Sequence, residues 1–182
     1  RNSRCTDLGD QKDSRMTVYL AGSIRDGNVQ DIEWREHAIQ QLSPYAIVLN
    51  PLAGKSYDAA AGQWTIFGED SDAKYIVKAD FWCVDRADVI LFDFRSLAEG
   101  YPSIGTLTEF GRSTARSCLR FAILAPAYKG HNNRQFPGLH PFLEQNVAKS
   151  FLDPSHAVAF VQTYCMATAA NDSNYWGGAS SV

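Results

Sequence analysis

Four things are missing from this sequence, and each absence removes a class of function. There is no basic excess: 17 Lys and Arg stand against 20 Asp and Glu, a net charge of −3, which argues against a nucleic-acid polymer as partner. There is no Cys-x-x-Cys pair or Cys/His cluster. Cys5, Cys83, Cys118 and Cys165 are scattered, and His37, His131, His140 and His156 share no metal or triad spacing. Neither a zinc site nor a disulfide framework is expected, and lone thiols fit a reducing, cytoplasmic setting. No apolar run approaches the ~18–20 residues that cross a bilayer, so no membrane association is expected. Finally, no Gly-x-Gly-x-x-Gly follows a strand-like segment, so the dinucleotide fingerprint is absent.

What is present suits one globular unit. The 182 residues are 45% hydrophobic and 20% charged, enough for a substantial core. "RNSRCTDLGDQKDSR" is polar and aperiodic, and residues 1–15 are expected to be a disordered leader. The domain is expected over 16–170, with a loose tail over 171–182. Buried strands are expected at "MTVYLAG" (16–22), "YAIVLNP" (45–51), "DVILFDF" (88–94) and "LRFAILAP" (119–126). Helices are expected at 31–42, capped by Asp31, and at 73–87 and 106–117. Two closing helices are expected, over "LHPFLEQNVAKSF" and "PSHAVAFVQTYCMATAA". Residues 52–72 have no clean period and read as a long insertion carrying Tyr57, Trp64 and Phe67; 95–105 and 127–138 read as loops.

Apolar strands alternating with helices imply an α/β domain, flavodoxin-like or Rossmann-like. Its parallel sheet would have four or five strands and helices on both faces. Ligands in such sheets sit beyond the carboxyl ends of the strands, at the switch point. That rule selects Tyr19, the Gly22-Ser23-Ile24-Arg25 turn, Asp93 and the segment running into Glu109. Each has a plainer alternative. The turn offers amides, a hydroxyl and a guanidinium to a phosphate or sugar hydroxyls, yet suits any strand-to-helix corner. Ser103 and Gly105 lead into a helix N-terminus, another anion-friendly spot or merely a turn. Asp80 sits between Ala79 and Phe81 on a helix, where most carboxylates are solvated. Asp93 inside "FDF" is costly unless paired or functional. Thr106-x-x-Glu109 matches a capping box, so Glu109 is either a cap partner or a carboxylate that does chemistry.

Three segments in order, "VYLAGSIRDG", Asp80 eight residues before the Asp88 of "ADVILFDF", and "PSIGTLTEFGR", resemble the nucleoside 2-deoxyribosyltransferase superfamily. Within it they are closest in motif to the 2′-deoxynucleoside 5′-phosphate N-hydrolases. The resemblance spans about residues 17–126. It implies that Glu109 attacks the anomeric carbon, that Tyr19 orients Glu109, and that Asp80 handles proton traffic on the leaving base. It implies substrate-binding roles for Gly22, Ser23, Ile24, Arg25, Asp93, Ser103 and Gly105. Ser103 stands six residues before the nucleophile, where transferases acting on nucleosides tend to carry Asp against the sugar 5′-hydroxyl. A hydroxyl accommodates a 5′-phosphate that a carboxylate would repel. The partner implied is a small nucleoside or nucleotide, with no cofactor and no metal. A homo-oligomer, dimer or higher, is implied as well, because the family often borrows a residue from a neighbouring subunit; the 127–141 segment with Asn132 and His140 is the corresponding region here. Base exchange between deoxynucleosides and a non-catalytic nucleotide-binding module are the competing readings.

Overall fold

The computed structural model describes residues 14–25, 28–58, 63–66, 69–70, 73–125 and 140–176. In chain order the elements are β1 (Thr17–Gly22), α1 (Val29–Leu42), β2 (Ile47–Leu49), β3 (Lys55–Asp58), β4 (Gln63–Ile66), β5 (Glu69–Asp70), α2 (Ala73–Arg86) and β6 (Val89–Asp93). There follow α3 (Arg95–Ala98), α4 (Ile104–Thr114), β7 (Leu119–Ile123), α5 (Pro141–Glu144), β8 (Lys149–Phe151) and α6 (Pro154–Trp176).

The main sheet has five parallel strands in the order β2-β1-β6-β7-β8. Counted along the chain, those strands run 2-1-3-4-5, the flavodoxin-like winding, whose switch point lies between β1 and β6. The register pairs Tyr19 with Ile90 and Gly22 with Asp93. Successive side chains of a strand point to opposite faces. Val18, Leu20, Val89 and Leu91 therefore pack with Trp34, Ala38 and Leu42 of α1 and with Ala157, Val158 and Val161 of α6. Tyr19, Ala21, Ile90 and Phe92 pack on the other face with Val84 of α2 and Phe110 of α4. Period two thus delivers the Tyr19 side chain to the layer that holds Asp80 and Glu109.

Helix α4 is held there by aromatic packing. The Phe110 ring meets Phe92 at 5.1 Å and Phe94 at 5.7 Å between centroids, both edge-on. Thr106, Glu109, Phe110 and Ser113 are its buried positions, one stripe of a 3.6-residue period. Asp85 and Arg112 tie α2 to α4 with an Nε–Oδ1 contact of 2.9 Å.

Several sequence expectations are corrected. Helix α1 begins at Asn28, whose side chain accepts from the Gln30 amide, rather than at Asp31. Asp31 is buried and paired with Arg25. Helix α4 begins two residues early, with Ser103 as its cap. The 52–72 segment is a three-stranded antiparallel sheet in the order β3-β4-β5. It sets Tyr57 opposite Trp64, while Phe67 lies outside the described residues. The first closing helix shortens to α5, and its remainder is the edge strand β8. β8 is three residues long and mostly exposed, so it shows no buried apolar run. The expected tail from residue 171 is helical through Trp176. Asn, Asp and Ser lower helix propensity by only a few tenths of a kcal/mol each, too little to stop a helix already nucleated. The leader up to residue 13 and the 127–138 loop, Asn132 included, lie outside the described residues.

Gly22 closes β1 at a tight spot. A Cβ there would stand 2.8 Å from the Asp93 Cβ and 3.0 Å from Arg35 Nη2. Gly22→Ala is therefore expected to cost about 1–3 kcal/mol through overpacking, read from the denaturant midpoint. An unchanged midpoint would show that Asp93 and Arg35 yield freely.

Candidate active site

The carboxyl ends of β1, β2 and β6 and the start of α4 meet at the switch point. The Tyr19 hydroxyl donates to Glu109 Oε1 at 2.6 Å, both side chains buried, across 90 residues of sequence. Glu109 is therefore not the cap partner of α4. The cap is Ser103, whose Oγ accepts from the Thr106 amide at 3.3 Å and from the Thr106 hydroxyl at 2.8 Å. Thr106 is therefore inside the helix, and Glu109 points to the sheet.

Ionisable groups surround this pair from three elements. Asp80 and Cys83 lie one turn apart on α2, Arg35 rises from α1 on the far face of the sheet, and Lys55 comes from β3. Lys55 Nζ stands 3.5 Å from Asp80 Oδ1. Burial pushes Glu109 up to about 7. The Tyr19 hydrogen bond opposes that rise, the Asp80 charge adds to it, and Arg35 and Lys55 pull it back. Burial also raises Asp80, with Lys55 and Arg35 opposing. It pushes the Cys83 thiol up to about 11, the Asp80 and Glu109 charges adding to the effect. Burial, then the nearby Glu109 and Asp80 charges, raises the Tyr19 phenol as well. Tyr19 thus stays a proton-bearing donor while Glu109 ionises around neutrality. A carboxylate of that character, with one oxygen held by a phenol, has the make-up of a positioned nucleophile.

The turn after β1 is engaged internally. Arg25 grips Asp31 through Nε at 2.9 Å and Nη2 at 2.9 Å, and its Nη1 donates to Glu99. Asp93 is taken by Arg95, through Nε at 2.9 Å and Nη2 at 2.8 Å. Ser23 is buried, and its carbonyl accepts from Arg35 Nη1 at 3.2 Å. Tyr19 and Glu109 are thus in direct contact and Asp80 stands beside them, whereas Arg25 and Asp93 are bound to protein partners. Gly105 faces open space: a Cβ there would meet nothing within 4 Å. His140 is exposed and caps α5. Trp82 is half exposed, with the Arg86 guanidinium 4.0 Å from its ring centroid. Among the described residues, no group of three His, Cys, Asp or Glu is placed to hold a metal.

Two residues were not legible as site members. Arg35 is completely buried, donates to the Leu20 carbonyl at 3.3 Å and to the Asp31 carbonyl, and has no partner for Nη2 among the described residues. Its signal was the i, i+4 pair Asp31/Arg35, whose side of α1 also carries the buried Ala38 and Leu42. Lys55 left no signal, because its strand has no apolar alternation.

No protein-family model and no curated protein matches the chain. Solved structures do. A 2-desoxiribosyltransferase from Leishmania mexicana superposes at a TM-score of 0.58 with 14% identity, over 81% of this chain and 97% of that one. A CMP N-glycosidase from Clostridium botulinum gives 0.52 and 15%, over 81% and 99%. The chain shares its fold with both. A conserved protein from Enterococcus faecalis gives 0.60 and 13%, over 83% and 99%. The shared fold extends over nearly the whole of each of those chains. No helix among the described residues is long and apolar enough to cross a membrane.

The buried Glu109 carries a cost that pH exposes. Its folded-state pKa, about 7, lies above the ordinary 4.5. A carboxyl raised by folding holds its proton more tightly in the folded state, so its stabilising share is complete below about pH 4.5 and is lost as pH rises toward 7. Glu109→Gln cannot ionise. It should match the wild type near pH 4 and exceed it at pH 8 by up to about 3 kcal/mol, measured by denaturation at both values. Equal stability at pH 8 would mean that Glu109 is well solvated.

Proposed function

We propose that this protein cleaves the N-glycosidic bond of a 2′-deoxynucleoside 5′-monophosphate and releases the free base. A covalent glycosyl–Glu109 intermediate forms, and water is the acceptor. The observation that carries the proposal is the 2.6 Å Tyr19–Glu109 hydrogen bond at the switch point of a fold shared with a deoxyribosyltransferase and an N-glycosidase. In the first step a Glu109 carboxylate oxygen attacks C1′ and the C1′–N bond breaks, its electron pair leaving with the base. Tyr19 fixes the carboxylate's orientation and, as the Glu109 charge moves into the new ester, gives up only part of its hydrogen bond. Asp80 stands on the base side. In the second step water attacks C1′, Glu109 departs, and the water proton goes to the base. This is the two-step logic of retaining glycosyl chemistry. A homo-oligomer belongs to the same proposal.

Ser103 supports the monophosphate. It caps α4, where the first amides of a helix point outward and favour an anion, and Gly105 leaves the adjoining space open. Arg25 reaches the phosphate only by releasing Glu99, since its other edge is committed to Asp31.

The test is incubation with a panel of deoxynucleosides and their 5′-monophosphates, with and without an added acceptor base. Monophosphates should release base with no acceptor present. Base release that strictly requires an acceptor would replace this reading with transfer between deoxynucleosides, and no release at all would leave a binding module.

Ser103→Asp separates capping from phosphate contact. Aspartate is as good an N-cap as serine, so stability should hold. A carboxylate beside a phosphate should raise KM for monophosphates by roughly 30- to 150-fold, about 2–3 kcal/mol, with little effect on kcat. Unchanged KM would place the phosphate elsewhere.

A further inference from the structure

We infer that Lys55 is a catalytic residue of this site, its ammonium donating to the departing base. The inference rests on the glycosidic reading above and adds a residue from the 52–72 segment, which contains none of the three motifs that suggested that reading.

Geometry places it. β2 ends at Leu49, at the carboxyl edge of the sheet beside β1. The chain then folds into a turn: the Ala53 amide donates to the Asn50 carbonyl at 3.0 Å, the Leu52 amide to Asn50 Oδ1 at 3.0 Å, and the Lys55 amide to the Leu52 carbonyl at 3.0 Å. Gly54 closes that turn at φ 74°, a conformation that side chains disfavour. The result sends the Lys55 side chain inward, where it is only 9% exposed.

Its bonding among the described residues is incomplete. An ammonium has three hydrogens and no acceptor. Among the described residues its one partner is Asp80, at 3.5 Å, well beyond the 2.7–2.9 Å of a close charge-assisted bond. A cation this buried is costly unless it is both paired and hydrogen-bonded. Among the described residues its other two donors meet no acceptor. Its charge reaches Asp80, Glu109 and Cys83 alike, lowering the proton affinity of each.

The chemistry needs such a group. When C1′–N breaks, the electron pair stays on the base, and negative charge develops on its ring nitrogens and exocyclic oxygens. Asp80 alone, an anion unless protonated, would oppose that charge. Lys55 Nζ–H meets it by hydrogen bonding to an acceptor atom of the base, and the ammonium keeps its proton throughout. Water supplies the hydroxyl to C1′ and the proton to the base in the second step, so Lys55 ends unchanged.

Leaving-group dependence is the test. Wild type, Lys55→Met and Lys55→Arg would be compared on two pairs: dUMP with 5-fluoro-dUMP, and dGMP with 7-methyl-dGMP. In each pair the second base departs more easily. On whichever pair the wild type turns over, Lys55→Met should lose about a hundredfold in kcat with the ordinary base and distinctly less, about tenfold or under, with the activated one. Lys55→Arg, which keeps a charged donor, should stay within about tenfold of wild type on both. A loss of equal size on both members of a pair would overturn the inference and make Lys55 a support for Asp80 or the fold. No loss would overturn it as well. Wild type releasing no base from these four compounds, nor from dAMP, dCMP or dTMP, would instead overturn the glycosidic reading itself. Denaturation midpoints of the two variants separate a folding defect from a catalytic one.

Discussion

The hydrogen bond between Tyr19 and Glu109 organises the structure around it. It joins the first strand to a helix 90 residues later, and both ends are buried. Such a contact is possible only if β1 and β6 are neighbours and α4 lies on the face that odd-numbered β1 residues reach. The sheet order supplies the first condition, and the Phe92–Phe94–Phe110 cluster supplies the second. Removing water from a carboxylate is costly, and the chain offsets only part of that cost with Tyr19, Arg35 and Lys55. A pKa near neutrality is what remains, a condition that a structural cap would have no use for.

The charges near this pair are arranged in two tiers. Asp31, Glu99 and Asp93 are satisfied by Arg25 and Arg95 at the mouth. Arg35, beneath, is held by backbone carbonyls, and among the described residues no carboxylate is hydrogen-bonded to it. Its charge therefore remains available to the whole cluster and acts on Asp93, Tyr19, Asp31 and Glu109 together. Gly22 is what lets it lie so close to the end of β1.

Much of this was legible in the sequence, for physical reasons. Strands buried on both faces must be nearly continuous apolar runs, and "VYLA", "VILF" and "FAI" are such runs. The switch-point rule then placed Tyr19 and Glu109 in one crevice before any distance was known. Edge and accessory strands carry no such constraint. β8 reads "KSF" and β3 reads "KSYD", with neither alternation nor length to mark them. The cap was misplaced because Thr106-x-x-Glu109 fits the capping-box pattern, and only the path of the chain after β6 puts Ser103 outside the helix and Thr106 within it. Arg35 and Lys55 escaped notice because long cations are usually solvated, and only the folded structure shows these two buried.

The central claim is that Glu109 forms a bond to the sugar, and trapping that bond tests it most directly. A 2′-fluoro-2′-deoxynucleoside 5′-monophosphate slows both steps by withdrawing electrons from C1′. Incubation followed by peptide mass analysis should show the sugar phosphate added to the peptide containing residues 105–112, with fragmentation placing it on Glu109. Release of base with no adduct at Glu109, or an adduct on another side chain, would contradict the account.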